Sequence, residues 1–269
     1  CLQCKDHYGD MTQPIAHAHM KQIILFYLLC ISTNIAFGGV DTVQVYSEAM
    51  DQTIPNLVIT PKDYTEQNDE LPVTYLLHGA GGYFSNWFFR VPEIEQYATD
   101  YNMIIVCPDG DKTSWYIDSP IDSTSQYESY ITRELVPAID QKYRTIKQKN
   151  GRAITGLSMG GHGAFYLAFR HQEIWGAAGS MSGGVNIIPF AEEWNMDEIL
   201  GPYHQFKKNW EDHTVINLIH LLNGDLKIIF DCGTEDFFAD VNKELHEKLV
   251  IEGIPHEYTV RPGKHNWDY

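Results

Sequence analysis

The sequence predicts an α/β fold: a mostly parallel central sheet with helices on both faces. Three observations predict it. Short apolar runs of strand character alternate with helical patterns along the chain, the order that a parallel sheet with crossover helices requires. A glycine-flanked serine, Gly156-Leu157-Ser158-Met159-Gly160, joins one such run to a buried helical pattern. The length of 269 residues suffices for one α/β domain with a sizeable core.

The elements follow in chain order. Strands are expected over residues 41–47 and 54–60, then over 73–77 and 103–107. Ile131, Leu135 and Ile139 recur at four-residue spacing, which places them on one face of a helix, and Pro137 interrupts that helix and predicts a kink. A strand is expected over 152–155, followed by a buried helix through Gly161-His162-Gly163-Ala164-Phe165-Tyr166-Leu167-Ala168-Phe169. Another strand spans 177–181. The connection 183–224 is long, yet too short for a large lid domain. A strand over 227–232 leads to a helix carrying Val241, Leu245 and Leu249, with Gly253 as its C-cap. The last strand covers 257–261. There is no internal repeat and no low-complexity tract.

The serine context suits a nucleophile. A sharp turn between strand and helix projects Oγ above the sheet edge, and the flanking glycines remove side chains that would collide where the turn closes. Such a serine needs a base and a group that orients the base. In the chain order serine, acid, histidine, Asp236 is the expected acid, just past the apolar strand that ends in Asp231-Cys232-Gly233. Glu235 and Asp240 are its rivals, whereas Asp231 lies inside the strand and reads as structural. His265 is the expected base, on the loop Pro262-Gly263-Lys264-His265 after the last strand. His162, four residues after Ser158 on the same helix, is badly placed to face Oγ, and His256 opens a strand. Two backbone N–H groups are needed for a developing oxyanion. Met159, the residue after the nucleophile, supplies one. Ala80, in His78-Gly79-Ala80-Gly81-Gly82, is assigned the other, with Gly79 as the alternative.

Several separated segments, in order, carry a family resemblance. They are Tyr75-Leu76-Leu77-His78-Gly79, Trp115-Tyr116-Ile117-Asp118-Ser119-Pro120 with Tyr127-Glu128-Ser129-Tyr130, Gly156-Leu157-Ser158-Met159-Gly160-Gly161-His162-Gly163, Asp231-Cys232-Gly233-Thr234-Glu235-Asp236 and Gly263-Lys264-His265-Asn266-Trp267. The chain resembles the esterase D / S-formylglutathione hydrolase branch of the α/β-hydrolases from about Val40 to its last residue. That branch also holds the feruloyl and acetylxylan esterases of carbohydrate esterase family one and the mycobacterial mycolyltransferases. The resemblance implies the α/β-hydrolase fold, a triad of Ser158, Asp236 and His265, and oxyanion amides at Ala80 and Met159. Members of the branch continue past the base histidine into a final helix that covers one sheet face. Here the sequence stops at Trp267-Asp268-Tyr269, so exposed apolar surface and a looser His265 loop are expected.

The balance of 19 basic against 36 acidic residues gives a net charge of −17, which argues against nucleic acid and anionic membrane surfaces as partners. Residues 1–19 precede Met20 and match nothing in the branch. Residues 20–38 have a positive start, a short apolar core and small residues at Ala36-Phe37-Gly38, the pattern of a secretory signal peptide. Its apolar run is too short to span a bilayer well, so no stable membrane insertion is expected after cleavage. Residues 39–269 form the esterase domain. Within it lie two cysteines, Cys107 and Cys232, expected as buried free thiols on non-neighbouring strands. Cys1 and Cys4 form a C-x-x-C without a second ligand pair, so zinc is not expected there. No metal and no cofactor is implied.

The aromatic residues Tyr83, Phe84, Trp87, Trp115, Tyr116 and Trp267 flank the motif loops and are candidates for stacking on substrate, although core packing would explain them equally well. The expected activity is that of a secreted or periplasmic serine esterase acting on a small-molecule or polysaccharide ester, with short-acyl or hydroxycinnamoyl groups on carbohydrate. Three other readings stay open: acyl transfer to an alcohol acceptor, an S-formylglutathione-type thioesterase, and a non-catalytic carbohydrate-binding relative.

Overall fold

A computed structural model describes residues 39–66 and 68–269. The upstream extension and signal peptide expected over residues 1–38, with Cys1, Cys4 and Cys30, lie outside the described residues. Among the described residues, eight strands form one sheet: β1 (Val40–Ser47), β2 (Gln52–Ile59), β3 (Val73–Leu77), β4 (Ile104–Pro108), β5 (Arg152–Gly156), β6 (Ala177–Met181), β7 (Lys227–Gly233) and β8 (Glu257–Arg261). Their order is β1-β2-β4-β3-β5-β6-β7-β8. The β1–β2 and β2–β4 pairs are antiparallel, and every pair from β4 to β8 is parallel. This is the α/β-hydrolase architecture.

At its centre the sheet is covered on both faces, which is why β4 is apolar throughout and fully enclosed. On one face, Leu57, Ile59, Ile105 and Cys107 meet Trp87 of α1 (Asn86–Arg90) and Ile94 and Ala98 of α2 (Ile94–Asp100). On the other, Val58, Val106, Tyr75 and Ile154 belong to the main core. That core includes α3 (Val136–Lys142), α4 (Met159–Arg170) and α5 (Ala239–Ile251). The kink expected at Pro137 takes a definite form. Tyr130–Leu135 is a π-helical stretch that ends where α3 begins, with Pro137 in the first turn of α3. Pro137 has no N–H to donate, whereas the Val136 N–H just before it bonds to the Ile131 carbonyl five residues back. Ile131, Leu135 and Ile139 are all buried.

α5 buries Val241, Leu245 and Leu249 and is followed by Gly253 at φ +66°, the left-handed conformation of a helix C-terminus. Cys107 on β4 and Cys232 on β7 are free and buried, with three strands between them. Burial pushes both thiols up to about 12. Ile229 on β7 alternates with buried Ile228 and Phe230 and is 54% exposed on the opposite face. No helix among the described residues is long and apolar enough to cross a membrane.

Candidate active site

Parallel strands deliver their C-terminal ends to one edge of the sheet, and loops from four of them meet there. β3 leads into His78–Gly82, β5 into the Ser158 turn, β7 into Asp236 and β8 into His265. Ser158 stands at φ 57° and ψ −118°, a backbone conformation that a non-glycine residue adopts only under constraint. The constraint is visible. The Ser158 amide donates to the Met181 carbonyl (2.9 Å), and the helix starts at once in α4. A Cβ on Gly160 would stand 2.5 Å from the Leu77 carbonyl oxygen, and one on Gly156 would stand 2.6 Å from the Gly160 backbone. Neither position admits another residue while β3 and α4 stay in contact.

The structure brings Ser158, His265 and Asp236 together. His265 Nε2 lies 2.9 Å from Ser158 Oγ, and Nδ1 lies 2.8 Å from Asp236 Oδ2. An ionised carboxylate only accepts, so the proton sits on Nδ1 and Nε2 is left free to accept from Oγ. Asp236 Oδ1 accepts from the Phe238 amide (2.8 Å), and the side chain is wholly out of solvent. Burial by itself would raise this carboxyl. The hydrogen bonds from His265 and the Phe238 amide outweigh it and hold Asp236 below the usual carboxylate range. The rivals lie elsewhere: Glu235 is exposed and pairs with Lys264 (3.7 Å), and Asp240 is exposed in the first turn of α5. The His162 ring is buried between the carbonyls of Trp115 (3.1 Å) and His213 (2.9 Å), and His256 pairs with His246 (2.8 Å).

Ala80 and Gly79 line the same cavity as Ser158. Among the described residues, no backbone carbonyl accepts from the Ala80 or the Met159 amide, so both N–H groups are free for a ligand oxygen. Two residues hold this loop, a role that the sequence did not assign to either. His78 Nε2 accepts from the Gly110 amide (2.9 Å), which leaves the Nδ1 proton to donate to the Gly79 carbonyl (2.9 Å). The Tyr116 hydroxyl accepts from the His78 amide (3.0 Å) and donates to the His78 carbonyl (3.2 Å). The signal was present in the Trp115–Pro120 segment, whose aromatic pair invited a substrate role instead.

The cavity holds about 390 Å³ and is walled by Trp87, Val91, Leu157, Met181 and Trp267, with Arg90 and the Asp231–Arg261 pair (2.9 Å) at its polar side. Trp87 and Trp267 meet edge to face at 5.1 Å, and Trp87 Nε1 donates to the Leu77 carbonyl (3.0 Å). Trp115 and Tyr83 correct the sequence reading. Trp115 is 2% exposed and packed against His162 and Trp194, because its turn must cover α4. Tyr83 is half exposed and stands outside the cavity wall, its ring edge against Phe84. Among the described residues, no three His, Cys, Asp or Glu side chains converge as metal ligands would.

Known proteins are similar to this chain in sequence and architecture. An esterase of Mycobacterium tuberculosis is 27% identical over 235 residues, which cover 77% of this chain and 51% of the relative, so the chain spans about half the length of that protein. An acetyl esterase of Caldicellulosiruptor saccharolyticus is 22% identical over 247 residues, covering 84% of this chain and 92% of the relative. Among solved structures, a ferulic acid esterase superposes with a TM-score of 0.74 at 28% identity, covering 87% of this chain and 92% of its own. A sequence profile of the family described as "Putative esterase" matches residues 47–269, and the chain belongs to that family of α/β-hydrolases.

Proposed function

We propose that the protein is a secreted serine esterase that removes short acyl or hydroxycinnamoyl groups from carbohydrate esters through an acyl-serine intermediate. The observation that carries this reading is the unbroken hydrogen-bonded line Ser158–His265–Asp236 beside the two free amides. In the first step His265 Nε2 takes the Ser158 proton as Oγ bonds to the ester carbonyl carbon. The carbonyl oxygen becomes an oxyanion, held by the Ala80 and Met159 amides. Asp236 keeps the imidazole oriented and stabilises its charged form. His265 then gives its proton to the departing alcohol oxygen as that bond breaks, leaving acyl-Ser158. Water, deprotonated by the same Nε2, attacks the acyl carbon, and His265 returns that proton to Oγ as the acyl–oxygen bond breaks and the carboxylic acid leaves.

The acyl preference is supported by the names of two similar proteins, an acetyl esterase and a ferulic acid esterase. The aromatic pair Trp87–Trp267 in the cavity wall offers a face for a sugar or cinnamoyl ring. Secretion rests on the signal-like pattern of residues 20–38 and is tested by N-terminal sequencing of the exported protein.

The activity is tested on p-nitrophenyl acetate. Ser158→Ala abolishes turnover and fluorophosphonate labelling, a loss on the order of 10⁴ or more. Asp236→Asn is severe but milder. Near-normal rates in Ser158→Ala would sink the mechanism. Substrate class is read from kcat/KM on acetylated xylan, methyl ferulate, S-formylglutathione and emulsified triolein. A clear preference for either of the last two refutes the carbohydrate ester reading and leaves the triad standing.

A further inference from the structure

Phe237 follows the acid of the triad and is 50% exposed. Its exposure has a counterpart on the inner side. The ring centroid lies 4.2 Å from that of the His265 imidazole, with 34° between the planes. Phe238 presents to the same imidazole at 5.5 Å and 82°, and also meets Phe237 at 4.6 Å. Trp194 backs Phe237 at 5.8 Å. The imidazole is therefore fixed at both nitrogens, by Asp236 and Ser158, and covered on one face by Phe237.

The face of a benzene ring carries the negative part of its quadrupole and attracts a cation placed over it. His265 becomes a cation once it has taken the Ser158 proton. The contact therefore strengthens as the reaction proceeds, which is the kind of interaction that raises kcat. We propose that Phe237 is a positioning residue. Its ring holds the His265 imidazole in line between Asp236 and Ser158 and favours the imidazolium formed during acyl transfer. The proposal rests on the reading of Ser158 and His265 as nucleophile and base. Other charged groups near the imidazole are Asp236, the Glu235–Lys264 pair beside it in the chain, and the Asp231–Arg261 pair in the same cavity wall. A substitution at 237 leaves all of them in place.

The test uses Phe237→Leu, which keeps cover but removes the π face, with Phe237→Tyr and Phe237→Trp, which keep the face. On p-nitrophenyl acetate, Phe237→Leu lowers kcat by about two- to five-fold with little change in KM. The acid limb of its kcat/KM profile moves to lower pH by about 0.3–0.7 unit, because the imidazolium has lost support. The Tyr and Trp variants restore both, and all three variants melt near the wild-type temperature. An unchanged limb in Phe237→Leu overturns the proposal. So does a limb moved to higher pH, which marks the ring as mere cover against water, or a failure of Tyr and Trp to rescue. Fluorophosphonate labelling of the wild type separates the two readings. An unlabelled wild type removes the serine mechanism itself, whereas a labelled wild type with a silent Phe237→Leu removes only the role of Phe237.

Discussion

Tyr116 satisfies two backbone groups of one residue through a single hydroxyl, and those groups belong to the residue that starts the Ala80 loop. The ring is fully buried and meets His78 at 5.8 Å. Tyr116→Phe leaves the His78 N–H and C=O without that partner, a cost of about 1–3 kcal/mol. The fold should survive with a lower Tm. Because the loop loosens without losing its donor, kcat falls by less than the roughly 10²–10³ expected for removing an oxyanion donor outright. Thermal melting together with kcat and KM on p-nitrophenyl acetate checks this, and a wild-type kcat would show that the loop does not depend on the hydroxyl. At this scale the sequence was legible where chain order and residue type coincide. Ser158, Asp236 and His265 each stand just past a strand end, so the motif spacing also fixed their place. Trp115, Tyr116 and His78 were not legible in this way. Whether an aromatic residue on a loop stacks on substrate or seals the core depends on what lies opposite, and the local sequence does not contain that.

The strands were legible to within a residue or two, and the departures have causes. β2 starts at Gln52, before the apolar run, because Ser47 pairs with Gln52 across the β1–β2 hairpin. That ladder is held by backbone hydrogen bonds, to which side-chain hydropathy is blind. The π-helical stretch ahead of Pro137 was visible only as a kink. The contact between β3 and the first turn of α4 is a tight constraint on the site. Gly160→Ala places a methyl group 2.5 Å from the Leu77 carbonyl oxygen and 2.7 Å from that of His78. The strand end and the helix start must then part. The loss belongs at the upper end of the roughly 1–3 kcal/mol that overpacking costs. The same shift displaces Ser158 and the His78 loop together, so Tm and kcat fall in parallel. A variant with lowered Tm and intact kcat would show that the turn absorbs the strain.

For the whole molecule, several buried groups set how stability follows pH. Glu128 is buried among His171 (2.7 Å), Arg170 (2.8 Å) and the Tyr166 hydroxyl (2.8 Å). Burial alone would raise its carboxyl, but the bonds from His171, Arg170 and Tyr166 bring it down to about 2 from an ordinary 4.5. A depressed carboxyl stabilises fully above 4.5, and that contribution is lost as pH falls toward 2. Burial also lowers His162 to about 4 and holds His78 and His213 below 6.5. The unfolded chain binds protons at these histidines from 6.5 downward while the folded chain does not, so stability falls from there toward 4. His171 has the opposite sign. Burial opposes its charge, but Glu128 raises it above 6.5, and its contribution is full below that value and fades as pH rises through its folded value. Urea unfolding at pH 7, 5.5, 4 and 3 should therefore show a continuous decline on acidification. In Glu128→Gln the decline between 4.5 and 2 is flattened and stability at pH 7 is lower. An acid limb in Glu128→Gln identical to the wild type would refute this assignment.

The sequence by itself determined the parallel sheet, the eight strands, the turn at Ser158 and the order of acid and base. Each of these is written in local periodicity or in glycine placement around a strand end. The clamp of His78 and Tyr116 on the Ala80 loop, the burial of Trp115 and the ring of Phe237 over His265 were decided only by tertiary structure. They depend on which side chains are brought face to face across 28 to 79 residues of chain, and distances of that kind arise from packing rather than from neighbouring sequence.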